Sequence, residues 1–236
     1  MSKRQGQISM DAKIAIRMLK RESDSEVLKG MQRFGINTRN SGAVGVTIPK
    51  IRKLAKEIGK NHQLAFALWK SDMHEAKLLA TMIDDPKLVT ERQMDSWVKE
   101  FNSWDICDQC CSGLFDKTAF SYKKVFEWPK SGDEYVKRAG FALMAALAVH
   151  DKGRKDEDFI RLLPLIENAS DDERNFVRKA VNWALRQIGK RNRRLNKYAI
   201  KSAERIRERG SKSARWIAAD ALRELKSEAV QRRLKG

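Results

Sequence analysis

Apolar residues recur at helical spacing almost without a break from about Met10 to Leu234, and this periodicity constrains the fold more than any other feature of the chain. No period-two strand bounded by hairpin turns competes with it. The four prolines fit the same pattern: Pro86 and Pro164 lie in or beside breaks, while Pro49 opens a periodic stretch, where a helix tolerates a residue lacking an N–H. The spacing predicts an all-α protein. At 236 residues the chain can bury a substantial core, and no long Gly/Pro/Ser linker divides it. The expectation is a single helical domain over 1–236, its first ~25 residues a flexible or capping segment.

Part of the sequence repeats. Tyr135-Val136-Lys137-Arg138-Ala139 returns 41 residues later as Phe176-Val177-Arg178-Lys179-Ala180, and Ser213-Ala214-Arg215-Trp216-Ile217 echoes it 37 further on. A period near forty matches the two-helix units of HEAT and armadillo repeats, which stack into a curved solenoid with one concave binding face. Three imperfect copies also fit ordinary amphipathic helices. In the first copy Val136, Gly140, Leu143 and Leu147 mark the buried stripe, and Arg138 falls nearly opposite. In the second, Val177, Val181, Ala184 and Ile188 mark it, with Trp183 on the flank, either facing outward or filling space between helices.

Charge bounds the partner. Lys and Arg number 49 against 31 Asp and Glu, a net charge of +18 with an isoelectric point near 10.0. Such a field attracts polyanions. From Arg186 to Gly236 there are 17 basic and 5 acidic residues, so +12 of the total lies in the last 51 positions. A disordered basic tail or an anionic lipid partner is the competing reading. Against a tail, Leu195, Tyr198, Ala199, Ala203 and Ile206 keep helical spacing, as do Trp216, Ile217, Ala221 and Leu225 after a break at Gly210.

No window of about 18 apolar residues is present, and the N-terminus lacks the apolar run of a signal peptide, so a cytoplasmic or nucleoid location is expected and a membrane is not. Cys107, Cys110 and Cys111 cluster without the distant second pair that a disulfide framework or four-ligand zinc site requires. They read as reduced, core-facing residues. His62, His74 and His150 are scattered without ligand spacing, and no metal or cofactor is implied.

The chemistry-bearing candidate is Ser103-Trp104-Asp105-Ile106-Cys107-Asp108. On a helix, positions four apart share a face, which places the Trp104 indole and the Asp108 carboxylate side by side. Ile106, Cys107, Cys110, Cys111 and Leu114 form the apolar stripe, with Trp104 and Asp108 on its flank and Asp108 furthest out. A carboxylate beside an aromatic wall suits a cationic target. A plainer reading has Asp105 or Asp108 capping a helix while Trp104 packs at the edge of the core.

Over Met31 to Leu225 the chain resembles the DNA alkylation repair proteins of the AlkD type, HEAT-like glycosylases that remove alkylated purines. The family's N-terminal motif is matched by Gly45-Val46-Thr47-Ile48-Pro49-Lys50-Ile51-Arg52 and its central motif by Ser103 to Asp108. Its later Arg and Trp are matched by Arg138 and by Trp183 in Lys179-Ala180-Val181-Asn182-Trp183-Ala184-Leu185-Arg186. The resemblance implies that Asp108 is the catalytic carboxylate, that Trp104 and Trp183 wall the lesion nucleotide, and that Arg138 holds the phosphate backbone near Asp108. It further implies a basic concave face, with Arg178, Lys179, Arg186 and Arg215 on phosphates and with Phe34 and Thr47 as further contacts. Two departures stand out. Ser103 replaces an aromatic, and Phe34 stands where the family carries a Tyr, followed by a longer polar loop.

The implied reaction is hydrolysis of the N-glycosidic bond of cationic alkylpurines such as 3-methyladenine and 7-methylguanine in duplex DNA, by a monomer without cofactor. A ring-alkylated purine already carries positive charge, so the leaving group needs little protonation, and positive charge develops on the sugar instead. A carboxylate stabilises that state and can orient water. Indole faces add on the order of 0.5–2 kcal/mol each. The alternative is a non-catalytic repeat protein that binds damaged or distorted duplex.

Overall fold

The computed structural model describes residues 2–234, with side chains from Asp11 onward. Among these residues every regular element is helical and none is a strand. The chain divides into two compact units, Met1–Thr118 and Ala119–Gly236. The boundary falls between a 3₁₀ turn and the next helix in a stretch without Gly or Pro, so composition carries no signal for it.

The first unit contains α1 (Ser2–Arg21), α2 (Ser25–Arg33), α3 (Ile48–Ile58), α4 (His62–Trp69), α5 (His74–Ile83), α6 (Glu91–Lys99) and α7 (Trp104–Gly113). Their starts follow local chemistry. Asp24 accepts from the N–H groups of Glu26 and Val27, Asn61 from Leu64 and Thr90 from Gln93, each satisfying donors that a helix start leaves over. Pro49 sits in the first turn of α3, as expected. The core joins Ile51, Leu68, Leu79, Ile83, Met94 and Ile106, with the Trp69 and Trp97 rings stacked parallel at 3.9 Å. Of the segment expected to be flexible or capping, Met1 and the side chains before Asp11 lie outside the described residues. Further on, Ala12, Ala15 and Leu19 are buried as α1 packs on α4 and α5.

The second unit contains α8 (Ser121–Glu127), α9 (Glu134–His150), α10 (Asp156–Ile160), α11 (Leu163–Asn168), α12 (Asn175–Gly189), α13 (Arg193–Glu208), α14 (Lys212–Leu225) and α15 (Glu228–Arg233). The three sequence copies fall at the N-terminal ends of α9, α12 and α14. α9 is enclosed by α8, the Trp128–Lys130 turn and α12, and is buried over most of its circumference. Gly140 permits that enclosure: a Cβ there would stand 2.5 Å from Cδ of Pro129. Gly210, at φ 79°, turns the chain from α13 into α14 through the left-handed region. Tyr198 and Trp216, expected on apolar stripes, are partly exposed instead. No helix among the described residues is long and apolar enough to cross a membrane.

Candidate functional site

The start of α7 is braced from two sides. Ser103 precedes the helix in an extended conformation and turns its hydroxyl to donate to Asp105 rather than to cap the helix. The same Asp105 oxygen accepts the Ile106 N–H at 3.0 Å, and its second oxygen lies 2.8 Å from Nε2 of fully buried His74. Burial pushes the Asp105 carboxyl up, but the bonds from His74, Ser103 and Ile106 outweigh it and hold the group below its ordinary range. An ionised Asp105 requires the imidazole to present its proton on Nε2.

Next to His74, Glu75 is fully buried and braces a different segment. Its carboxylate accepts the Gly45 N–H at 2.8 Å, with Val44 and Val46 at 3.1 and 3.3 Å. Gly45 is required there: φ is 81°, and a Cβ would strike the Asp24 carbonyl oxygen at 2.1 Å. The first turn of α5 thus holds both family motifs of this unit, the loop leading to Thr47 and the beginning of α7. Thr47 precedes α3, half-buried, with its hydroxyl not engaged in capping.

From this braced turn Trp104 and Asp108 project one helical turn apart, both half-buried, as their flank position predicts. The Trp104 Nε1–H donates to the carbonyl of Phe34 at 3.1 Å, which fixes the indole against the end of α2. The Phe34 ring is 72% exposed. Sequence reasoning named these three residues, and the structure places Phe34 and Trp104 in contact. Cys107, Cys110 and Cys111 are buried as expected, and burial pushes the Cys110 and Cys111 thiols well up, so neither supplies a thiolate at neutral pH.

In the second unit Trp183 is half-buried on α12, Lys179 and Arg215 are exposed, and Arg178 lies over the Trp216 ring at 5.2 Å. One expectation, that Arg138 faces outward, needs correction. Arg138 does not project into solvent: it is 6% exposed and donates to the Phe176 carbonyl at 2.6 Å. Helical periodicity placed it opposite the stripe correctly, but α12 covers that face too. Arg186 is half-buried. Its guanidinium pairs with Glu224 at 2.5 Å and Asp220 at 3.4 Å, across from α12 to α14.

Sequence reasoning missed His74, Glu75 and the bracing role of Asp105. The available signal was a spacing: Val44 and Glu75, Trp69 and Glu100, and His74 and Asp105 are each 31 residues apart.

The family model described as DNA alkylation repair enzyme matches residues 15–225. A solved structure described as a new family of proteins related to the HEAT-like repeat DNA glycosylases, with affinity for branched DNA structures, superposes with a TM-score of 0.75 at 18% identity, covering 94% of this chain and 95% of that one. The fold is therefore HEAT-like. A designed armadillo repeat protein in complex with peptide (KR)4 gives a TM-score of 0.36 at 15% identity over 79% of this chain and 89% of its own, too little to argue from. No curated protein matches the chain. With four-fifths and more of its length inside one family model, this HEAT-like chain belongs to the DNA alkylation repair enzyme family.

Proposed function

We propose that the protein is a monofunctional DNA glycosylase of base excision repair, acting as a monomer on cationic alkylated purines, 3-methyladenine and 7-methylguanine, in duplex DNA. One observation carries this reading: the Asp108 carboxylate and the Trp104 indole stand half-exposed, one turn apart, on a helix whose first turn is anchored through Asp105 to fully buried His74. A half-exposed carboxylate beside an indole suits a cationic target, and a net charge of +18 suits the polyanion that carries it.

In the proposed reaction Asp108 stabilises the oxocarbenium-like sugar and orients the attacking water, with the Trp104 indole face beside it; Trp183, in the second unit, is proposed as a further aromatic contact to the DNA. Phe34 and Thr47 contact the DNA near them. Lys179, Arg178 and Arg215 neutralise phosphates without reading sequence. Arg138 is proposed as a phosphate partner that shares or releases its bond to Phe176, and Arg186 contributes less because Glu224 and Asp220 already balance its charge.

Asp108→Asn tests the reading. Base release from methylated duplex is expected to fall by at least about a hundredfold, with salt-sensitive DNA affinity unchanged or slightly raised. Equal release by variant and wild type removes the catalytic assignment. The second reading, a non-catalytic binder, is favoured by the structural neighbour described as having affinity for branched DNA. It predicts no base release from wild type and tighter binding to branched than to continuous duplex.

A further inference from the structure

Trp216 is an unexpected residue to leave in water. It lies in an apolar run with Ile217, Ala218 and Ala221, all of which are fully buried, yet the residue itself is 38% exposed. The guanidinium of Arg178, from α12, lies 5.2 Å from the ring centroid. Arg178 donates from Nη2 to Asn175 at 3.3 Å, while its Nε is buried without an acceptor. A guanidinium covering one indole face orients the ring and leaves the rest of its surface open.

The cations of this unit divide into paired and unpaired ones. Arg186 and Lys190 pair with Glu224, Arg205 with Glu167, and Arg209 with Asp171. Arg178, Lys179, Lys212 and Arg215 enter no ion pair among the described residues. Lys212 stands one turn before Trp216 on the same face of α14, and Arg215 directly precedes it. An oriented indole among uncompensated cations suits a ligand that carries both a π-face and flanking negative charge.

Continuous duplex does not offer that combination, because its base faces are buried in the stack. An unpaired nucleotide does. We propose that Trp216, oriented by Arg178, is a stacking site for an unpaired DNA base, with Lys212 and Arg215 on the phosphates beside it. The inference rests on the DNA-binding part of the function proposed above and is independent of base release.

The test compares equilibrium binding of wild type, Trp216→Ala and Trp216→Phe to a continuous duplex and to the same duplex carrying a short single-stranded arm. In wild type the arm tightens binding about tenfold, the order expected for one stacked base. Trp216→Ala loses that gain and keeps its affinity for continuous duplex within about twofold, while Trp216→Phe, which retains a ring, keeps most of the gain. Thermal melting checks that both variants fold. The proposal is overturned if the arm adds nothing in wild type, if the gain survives Trp216→Ala, or if that variant weakens both DNAs alike. It is also overturned if polyglutamate competes as well as oligothymidylate, since charge alone would then account for the site. Wild type that binds neither DNA sinks the DNA reading together with this one.

Discussion

The two units hold successive helices in register with different mixtures of bonds. In the first, bonds that span one repeat start from fully buried side chains: Glu75 to the amides of Val44 and Gly45, and His74 to Asp105, at separations of 30 to 31 residues. In the second, beside the bond of buried Arg138 to Phe176, many run between part-exposed cations and carboxylates: Arg205 to Glu167, Arg209 to Asp171 and Arg186 to Glu224, each 38 residues apart. Buried polar groups left without a partner are expensive, whereas exposed ion pairs contribute little singly and weaken with salt. The carboxylate and indole proposed for chemistry therefore stand on the more firmly anchored frame. The second unit gains its register from many small terms and keeps part of its positive charge unbalanced.

The sharpest way to break this contrast is Glu75→Ala, which leaves three amides of the Val44–Val46 loop without their acceptor. A loss of about 3 kcal/mol in denaturant unfolding is expected. A loss under about 1 kcal/mol would show that the loop is held otherwise. His74→Ala removes the buried partner of Asp105 and should lower stability by about 2 kcal/mol. If the proposed activity holds, it should also reduce kcat for base release more than DNA affinity, and His74→Gln, whose amide still donates, should recover part. The pH dependence has a defined sign. Because Asp105 is held below its ordinary 3.8, its contribution is complete above that value and lost as pH falls through the folded one. Asp105→Asn should flatten that part of the acid-unfolding curve. The smallest effect is expected from Arg205→Ala in the second unit, under about 1 kcal/mol and shrinking with added salt. A larger, salt-independent loss there would erase the distinction between the units.

Particular residues show why one unit was more legible than the other. The forty-residue echo was visible because its copies share an aromatic or small residue, a valine or alanine and basic neighbours at the start of a long helix. The 31-residue spacing of the first unit links a glutamate to backbone amides and a histidine to an aspartate, pairs with no resemblance to one another as letters. His74 looked like a scattered histidine because its partner is a single carboxylate, far along the chain. Trp104 and Asp108 were legible because both sit on one helix, where spacing alone assigns a face.

The sequence by itself determined the all-helical class, the buried stripes with their cysteines, the flank position of Trp104 and Asp108, and the excess of positive charge. Each follows from properties of one helix or from composition. Only the tertiary structure decided that Arg138 is enclosed, that Arg186 is paired, that His74 and Glu75 brace the site, and that Trp216 stays partly open. Periodicity reports which way a side chain leaves its own helix, but what waits on that side depends on the neighbour that packs there, and the neighbour comes from a distant part of the chain.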